Sequence, residues 1–294
     1  MISYTKGCAT SRDGTTIGWR QLGRGPAVIV LHGGMMASQN LMTLATALAD
    51  EFTVYVPDRR GRGLSGPHGD HYCLAREAED LEVLAARSGA TNIFGLSSGA
   101  IVALRTAVSV ASIQRVALYE PPLAVEGASP ADWVARYERE LGRGDLAAAM
   151  LSVIQGTADS SPLGWLPRWL TMPLMSLAIR AQTKALKGDD VPIRALIPTM
   201  HYDPQIVSES ATLLHECKNL SSDVLLLGGS KSKPHLKIAL DALQRVLPHV
   251  TRVELPGVGH LAAENGGKPE RVAQRLRTFF RGNCSGSIRI KPSA

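Results

Sequence analysis

Short runs of Val, Ile and Leu alternate along the chain with longer stretches in which apolar residues recur at intervals of three and four. The runs at residues 27–31, 53–56, 92–96, 115–119, 223–227 and 252–255 predict strands buried on both faces, as in a parallel sheet between helical layers. Residues 74–88 set Leu74, Ala78, Leu81, Leu84 and Ala85 on one face of a predicted helix. Further helices are predicted over 38–50, over 100–110 and from Pro269 to Phe280. Residues 7–22, with a turn at Asp13-Gly14, predict an antiparallel lead-in, and Gly23-Arg24-Gly25-Pro26 separates it from the first buried strand. The fold class is therefore α/β, a mostly parallel sheet flanked by helices.

Between Pro121 and Ser221 the pattern changes: strand-like runs are missing, and helical stretches are predicted over 130–141, 145–155 and 165–186. An insertion of this length between neighbouring strands has to sit at one edge of the sheet or over one end of it. The predicted division is an α/β core over 1–122 and 221–294, interrupted by a helical cap over 123–220. Its last residues, 283–294, are rich in Ser and Gly and predict a frayed tail.

The composition adds bounds. The chain has 294 residues, of which 45% are hydrophobic and 20% charged, as expected of a globular protein with one large core. The net charge of +6 is dispersed, apart from Arg59, Arg60 and Arg62 and a scatter from Arg271 to Lys291. Without a nucleic-acid-binding motif it predicts no nucleic-acid partner. Cys8, Cys73, Cys217 and Cys284 are too scattered for a zinc site or a disulfide framework. The N-terminal residues carry no apolar run of signal-peptide length and the longest apolar runs are too short to span a bilayer, so a cytoplasmic protein is expected.

The candidate chemistry centres on Gly95-Leu96-Ser97-Ser98-Gly99, placed between a predicted strand and a predicted helix. A serine there sits on a tight turn that exposes its hydroxyl, flanking glycines remove the Cβ atoms that would clash, and the helix N-terminus faces charge developing in acyl transfer. Ser97 is the candidate nucleophile. Upstream, a strand ends in His32-Gly33-Gly34-Met35, where a backbone N–H can join that of Ser98 as an oxyanion hole. Gly34 is the chosen donor, with Gly33 and Met35 as neighbouring alternatives. Among eight histidines, His260 follows the last strand on the glycine-rich loop Gly257-Val258-Gly259, so it is the candidate general base. His32 is expected to be held by a local hydrogen bond instead.

These landmarks resemble the α/β-hydrolase superfamily, together with Pro57-Asp58-Arg59-Arg60-Gly61-Arg62-Gly63-Leu64-Ser65 and Tyr119-Glu120-Pro121-Pro122. The resemblance implies an eight-stranded sheet, a cap after Glu120, and a structural turn whose arginines are scaffold. It also implies an acid after the strand at 223–227, yet the chain reads Gly228-Gly229-Ser230-Lys231 there. Zearalenone-type lactone hydrolases and certain dehalogenases are similar in carrying a Glu one strand earlier, which makes Glu120 the candidate acid. The alternative is a Glu that braces the Pro121-Pro122 turn. Asp203 and Glu264 are weaker candidates.

Trp165, Trp169, Met172 and Met175 lie in one apolar stretch of the insertion. With Met35 they are candidates to line an apolar substrate pocket, or else simply helix-to-helix core. The expected activity is a serine hydrolase cleaving a carboxylic ester or lactone of an apolar small molecule through an acyl-enzyme, with no metal or organic cofactor. Thioester or carbon–carbon hydrolysis and a receptor of this fold with vestigial turnover stay open. Oligomeric state is silent in the sequence, a homodimer being compatible with it.

Overall fold

The computed structural model describes residues 3–126, 131–157, 167–186 and 188–282. Two strands, β1 (Thr5–Thr10) and β2 (Thr16–Leu22), form the antiparallel lead-in, closed by a turn in which the Ser11 N–H donates to the Thr15 carbonyl at 2.8 Å. The core continues as β3 (Ala27–Leu31), α1 (Met42–Leu48), β4 (Thr53–Pro57), α2 (Leu74–Ser88), β5 (Asn92–Leu96), α3 (Ser98–Ser109) and β6 (Arg115–Tyr119). After the insertion it resumes with β7 (Asp223–Gly229), α10 (Pro234–Val246), β8 (Val250–Leu255) and α11 (Pro269–Phe280), the insertion contributing α4 to α9. The eight strands lie in the order β1-β2-β4-β3-β5-β6-β7-β8, parallel from β4 onward.

The uninterrupted apolar runs have the expected cause. In β3, Ile29 and Leu31 enter one core layer with Leu84, Ile101 and Leu104, while Val28 and Val30 enter the other with Leu44, Leu48 and Phe94. Alternate residues thus bury into opposite layers, at about 1.5–3 kcal/mol for each large side chain.

Two differences from the predicted elements have local reasons. The helix predicted over 38–50 begins as a 3-10 turn, Ser38–Leu41, because the Asn40 side chain accepts the Ala37 N–H at 3.0 Å and holds the entry tight. α10 is not among the predicted elements, although Leu236, Ala239, Leu240 and Leu243 recur at helical spacing and are buried.

Between β6 and β7 the described residues hold only helices and turns: α4 (Ala131–Gly142), α5 (Leu146–Thr157), α6 (Arg168–Ala185), α7 (Ile193–Leu196), α8 (Asp203–Glu209) and α9 (Leu213–Glu216). They have their own apolar cluster, including Tyr137, Leu151, Met175, Ile179, Ile197 and Met200. The starts predicted at 130 and 165, the tail over 283–294 and Cys284 lie outside the described residues.

Candidate active site

The strand-turn-helix at β5 and α3 puts Ser97 at φ 56° and ψ −126°, a conformation that non-glycine residues rarely adopt. The turn is held by the Ser97 N–H donating to the Tyr119 carbonyl at 2.9 Å. The flanking glycines are required by space. A Cβ on Gly99 would stand 2.2 Å from the His32 carbonyl oxygen, and one on Gly95 would stand 2.5 Å from that of Gly99.

At the end of the next strand, Glu120 also takes positive φ, 47°, and is fully buried. Its Oε1 accepts the Gly229 N–H at 2.6 Å, and its Oε2 lies 2.8 Å from His260 Nδ1. His260 Nε2 is 3.0 Å from Ser97 Oγ. The carboxylate assigns the proton to Nδ1, which leaves the Nε2 lone pair facing the serine hydroxyl as acceptor. The loop carrying His260 is tied down by the Tyr119 hydroxyl, which donates to the Gly259 carbonyl at 2.8 Å.

Gly228 and Gly229, where the resemblance implies an acid, serve Glu120 instead. A Cβ on Gly228 would lie 3.1 Å from Glu120 Oε1, and one on Gly229 would lie 2.3 Å from the Val258 carbonyl. The pair therefore supplies both room and an N–H donor to a carboxylate that arrives from β6.

The loop after β3 runs beside Ser97, since a Cβ on Gly33 would meet Ser97 Cβ at 3.0 Å. Met35 turns the loop with φ 54°. Among the described residues, neither the Gly34 nor the Ser98 N–H has an acceptor. His32 is buried next to them, with Nδ1–H donating to the Gly33 carbonyl at 2.9 Å and Nε2 accepting the Arg59 N–H at 3.1 Å. Burial, followed by the nearby charges of Arg62 and Arg59, holds it neutral well below the ordinary histidine range.

The arginines after β4 are buried in ion pairs. Arg60 spans Asp80 and Asp13, and the Asp58 carboxylate holds its own turn by accepting the Leu64 N–H at 2.9 Å and ties it to the 3-10 turn by accepting the Ser38 N–H at 2.6 Å. Arg59 donates to Glu77 through Nε at 2.5 Å and through Nη1 to both Ser98 Oγ and Asp203 Oδ1 at 2.9 Å. Arg62 donates to Asp203 Oδ2 at 2.9 Å, and the Ser98 hydroxyl donates to Asp203 Oδ1 at 2.5 Å. Burial alone would raise the Asp203 pKa, but Arg59 and Arg62 bring it down to about 2.

Asp203 is thus occupied by two guanidiniums and a hydroxyl, and Glu264 accepts from Asn40. Neither carboxylate is bonded to His260. The contact of Asp203 with Ser98 escapes sequence reading, because Asp203-Pro204 signals only a helix start, not a partner 105 positions away. Met200 was missed likewise: a Cβ on Gly34 would stand 2.8 Å from its Sδ.

The candidate pocket residues do not form one group. Met35 and Met172 are half-buried against the apolar cluster of the insertion, with Met175 inside it. Trp169 is 73% exposed, which corrects its placement in a pocket wall: Met175 and Ile179 take the inward stripe of α6 and leave Trp169 facing out. Trp165 lies outside the described residues. No group of three or more metal-ligating side chains occurs among the described residues, and none of their helices is long and apolar enough to cross a membrane.

A mostly parallel eight-stranded sheet with this turn at the end of β5 defines an α/β hydrolase. The chain belongs to the Alpha/beta hydrolase family, whose model matches residues 28–275. Among curated relatives, the pimeloyl-[acyl-carrier protein] methyl ester esterase of Xanthomonas oryzae is 24% identical over 261 residues, covering 88% of this chain and 96% of its own. An alpha/beta hydrolase from Sphaerobacter thermophilus is 28% identical with a TM-score of 0.73, over 93% of this chain and all of that one. The esterase RhEst1 from Rhodococcus shares the fold, at 21% identity, a TM-score of 0.70, and 95% and 99% coverage of this chain and its own.

Proposed function

We propose that this protein is a serine esterase that cleaves a carboxylic ester or lactone bond of an apolar small molecule through an acyl-enzyme. The observation that carries the proposal is the unbroken chain from Glu120 through His260 to Ser97, with contacts of 2.8 and 3.0 Å. Both lie within the range that proton transfer needs. His260 Nε2 takes the Ser97 proton as Oγ attacks the carbonyl carbon, and the imidazolium so formed is stabilised by Glu120. The oxyanion is received by the N–H groups of Gly34 and Ser98, which have no other acceptor among the described residues. Each such donor is worth about 2.7–4 kcal/mol of barrier. His260 then protonates the leaving alkoxide, and water, deprotonated by the same nitrogen, releases the acid.

Residues 123–220 act as a cap in this reading. Its support is that Met200 and Asp203 reach down to Gly34 and Ser98. The ester preference draws on the named activity of the Xanthomonas relative. A panel of p-nitrophenyl esters, macrolactones and acyl thioesters will rank the substrate classes. On the preferred ester, Ser97→Ala is expected to lose turnover by about 10⁵-fold or more and to lose labelling by a fluorophosphonate. Undiminished turnover in that variant contradicts the proposal, and wild-type protein that takes up label without turning over any of the panel points to a vestigial site.

A further inference from the structure

Asp203 is 2% exposed, and it comes from α8 rather than from the core that carries Ser97. It lies against both residues proposed to supply the oxyanion donors. Its Oδ1 receives the hydroxyl of Ser98, the first residue of α3, and a Cβ on Gly34 would stand 3.0 Å from its Cγ. Buried cations fix it in turn: Arg59 holds Oδ1 and Arg62 holds Oδ2, and the Arg59 Nη1 that reaches Asp203 also reaches Ser98. The result is a closed triangle of Arg59, Ser98 and Asp203 directly beside the nucleophile.

The helix that delivers the carboxylate is fastened as well. Glu209 accepts the Leu74 N–H at 2.6 Å, and the Gln205 side-chain amide donates to the Tyr72 carbonyl at 2.7 Å, so α8 is clamped to the start of α2 at its far end. Arg62 depends on the same residue. Its Nε and Nη1 have no acceptor among the described residues, and Asp203 is the carboxylate with which it pairs.

We propose that Asp203 is the positioning residue of the oxyanion hole, fixing the Ser98 end of α3 and the Gly34 loop at the spacing that a tetrahedral oxyanion requires. The inference rests on the esterase reading above. It makes the docking of α8 a condition of chemistry rather than of substrate binding: donors preorganised for the transition state raise kcat, while ground-state affinity changes little.

The test uses the full chain with Asp203→Asn, which keeps the size and removes the charge, and with Ser98→Ala, which removes the hydroxyl but leaves the ion pairs and the backbone N–H. Thermal melting checks folding, and kcat and KM are measured on the best p-nitrophenyl ester. Inhibition is compared for a boronic acid, which adds Ser97 Oγ and places an oxygen in the hole, and for the substrate alcohol, which does not.

Folded Asp203→Asn is expected to lose about 10- to 100-fold in kcat with little change in KM, and to weaken the boronic acid but not the alcohol. Ser98→Ala is expected to show the same selectivity with a smaller loss, and it decides the matter if the first variant does not fold. Unchanged kcat in a folded variant, or equal weakening of both inhibitors, overturns the inference. The failure of the esterase reading is separate, because it shows as turnover retained by Ser97→Ala.

Discussion

Two buried polar clusters meet at the carboxyl end of the sheet, one on each side of Ser97. In the first, Glu120 faces an imidazole whose second nitrogen is an acceptor for a serine hydroxyl, so the cluster can gain a positive charge during a reaction. In the second, Arg59, Arg62, Glu77 and Asp203 are two cations and two anions already paired with one another. The first has a partner waiting for a charge that does not yet exist, whereas the second has no charge left to answer. That contrast separates reactive groups from supporting ones more sharply than burial does, since both clusters are withdrawn from water.

The widest separation is expected between His260→Ala and Glu77→Gln. The first should lower kcat by about 10⁵-fold while moving the melting temperature little. The second leaves Arg59 and Arg62 to share the single buried carboxylate of Asp203 and should cost about 3–5 kcal/mol of stability, measured by urea unfolding, with a far smaller change in the kcat of the protein that remains folded. If Glu77→Gln affects rate as strongly as His260→Ala does, the division between the clusters is wrong.

The pH dependence of stability sharpens the same division. His32 is kept neutral by burial and by Arg62 and Arg59, and burial with Arg62 lowers the His68 pKa to about 4. Below about pH 6.5 the unfolded chain binds protons at both positions and the folded chain does not, so stability falls as the pH falls from there toward 4. Asp203 acts at lower pH. Its pKa is depressed from the ordinary 3.8 to about 2, so its contribution is complete above pH 3.8 and is lost as the pH falls through about 2. Melting temperatures from pH 8 to 2 should therefore decline in two stages, and a flat profile between pH 6.5 and 4 would remove the assignment of neutral histidines.

The smallest effect is expected at the outer face of the insertion. Trp169→Ser should leave KM within a factor of two and stability within about 0.5 kcal/mol, because the ring is 73% exposed. A large rise in KM would return Trp169 to the pocket.

The legibility of the sequence follows the range of the interactions. Strands such as β5 and β6, and helices such as α2 and α11, have the predicted bounds because their apolar periodicity is local and strong. Ser97 and His260 were legible for a similar reason: each stands in a short glycine-bearing segment at a strand end. Glu120 was legible through the missing acid after β7 together with the resemblance to hydrolases that carry a Glu one strand earlier, and the Gly228-Gly229 pair that receives it makes physical sense only once β6 and β7 are side by side. Asp203 was weighed as a substitute acid because nothing along the chain reveals that Arg59 and Arg62 already hold it. The outward turn of Trp169 depends on which face of α6 meets the apolar cluster, and a helix apolar on both faces does not declare that.

The position of the acid is the central claim, and Glu120→Gln tests it most directly, with kcat and thermal melting measured on the same preparation. Glutamine keeps the shape beside Gly229 but cannot stabilise an imidazolium, so kcat is expected to fall on the order of 10³- to 10⁴-fold in a protein that remains folded. Near-normal turnover accompanied by a lowered melting temperature would contradict the account and make Glu120 a brace for the turn at Pro121-Pro122.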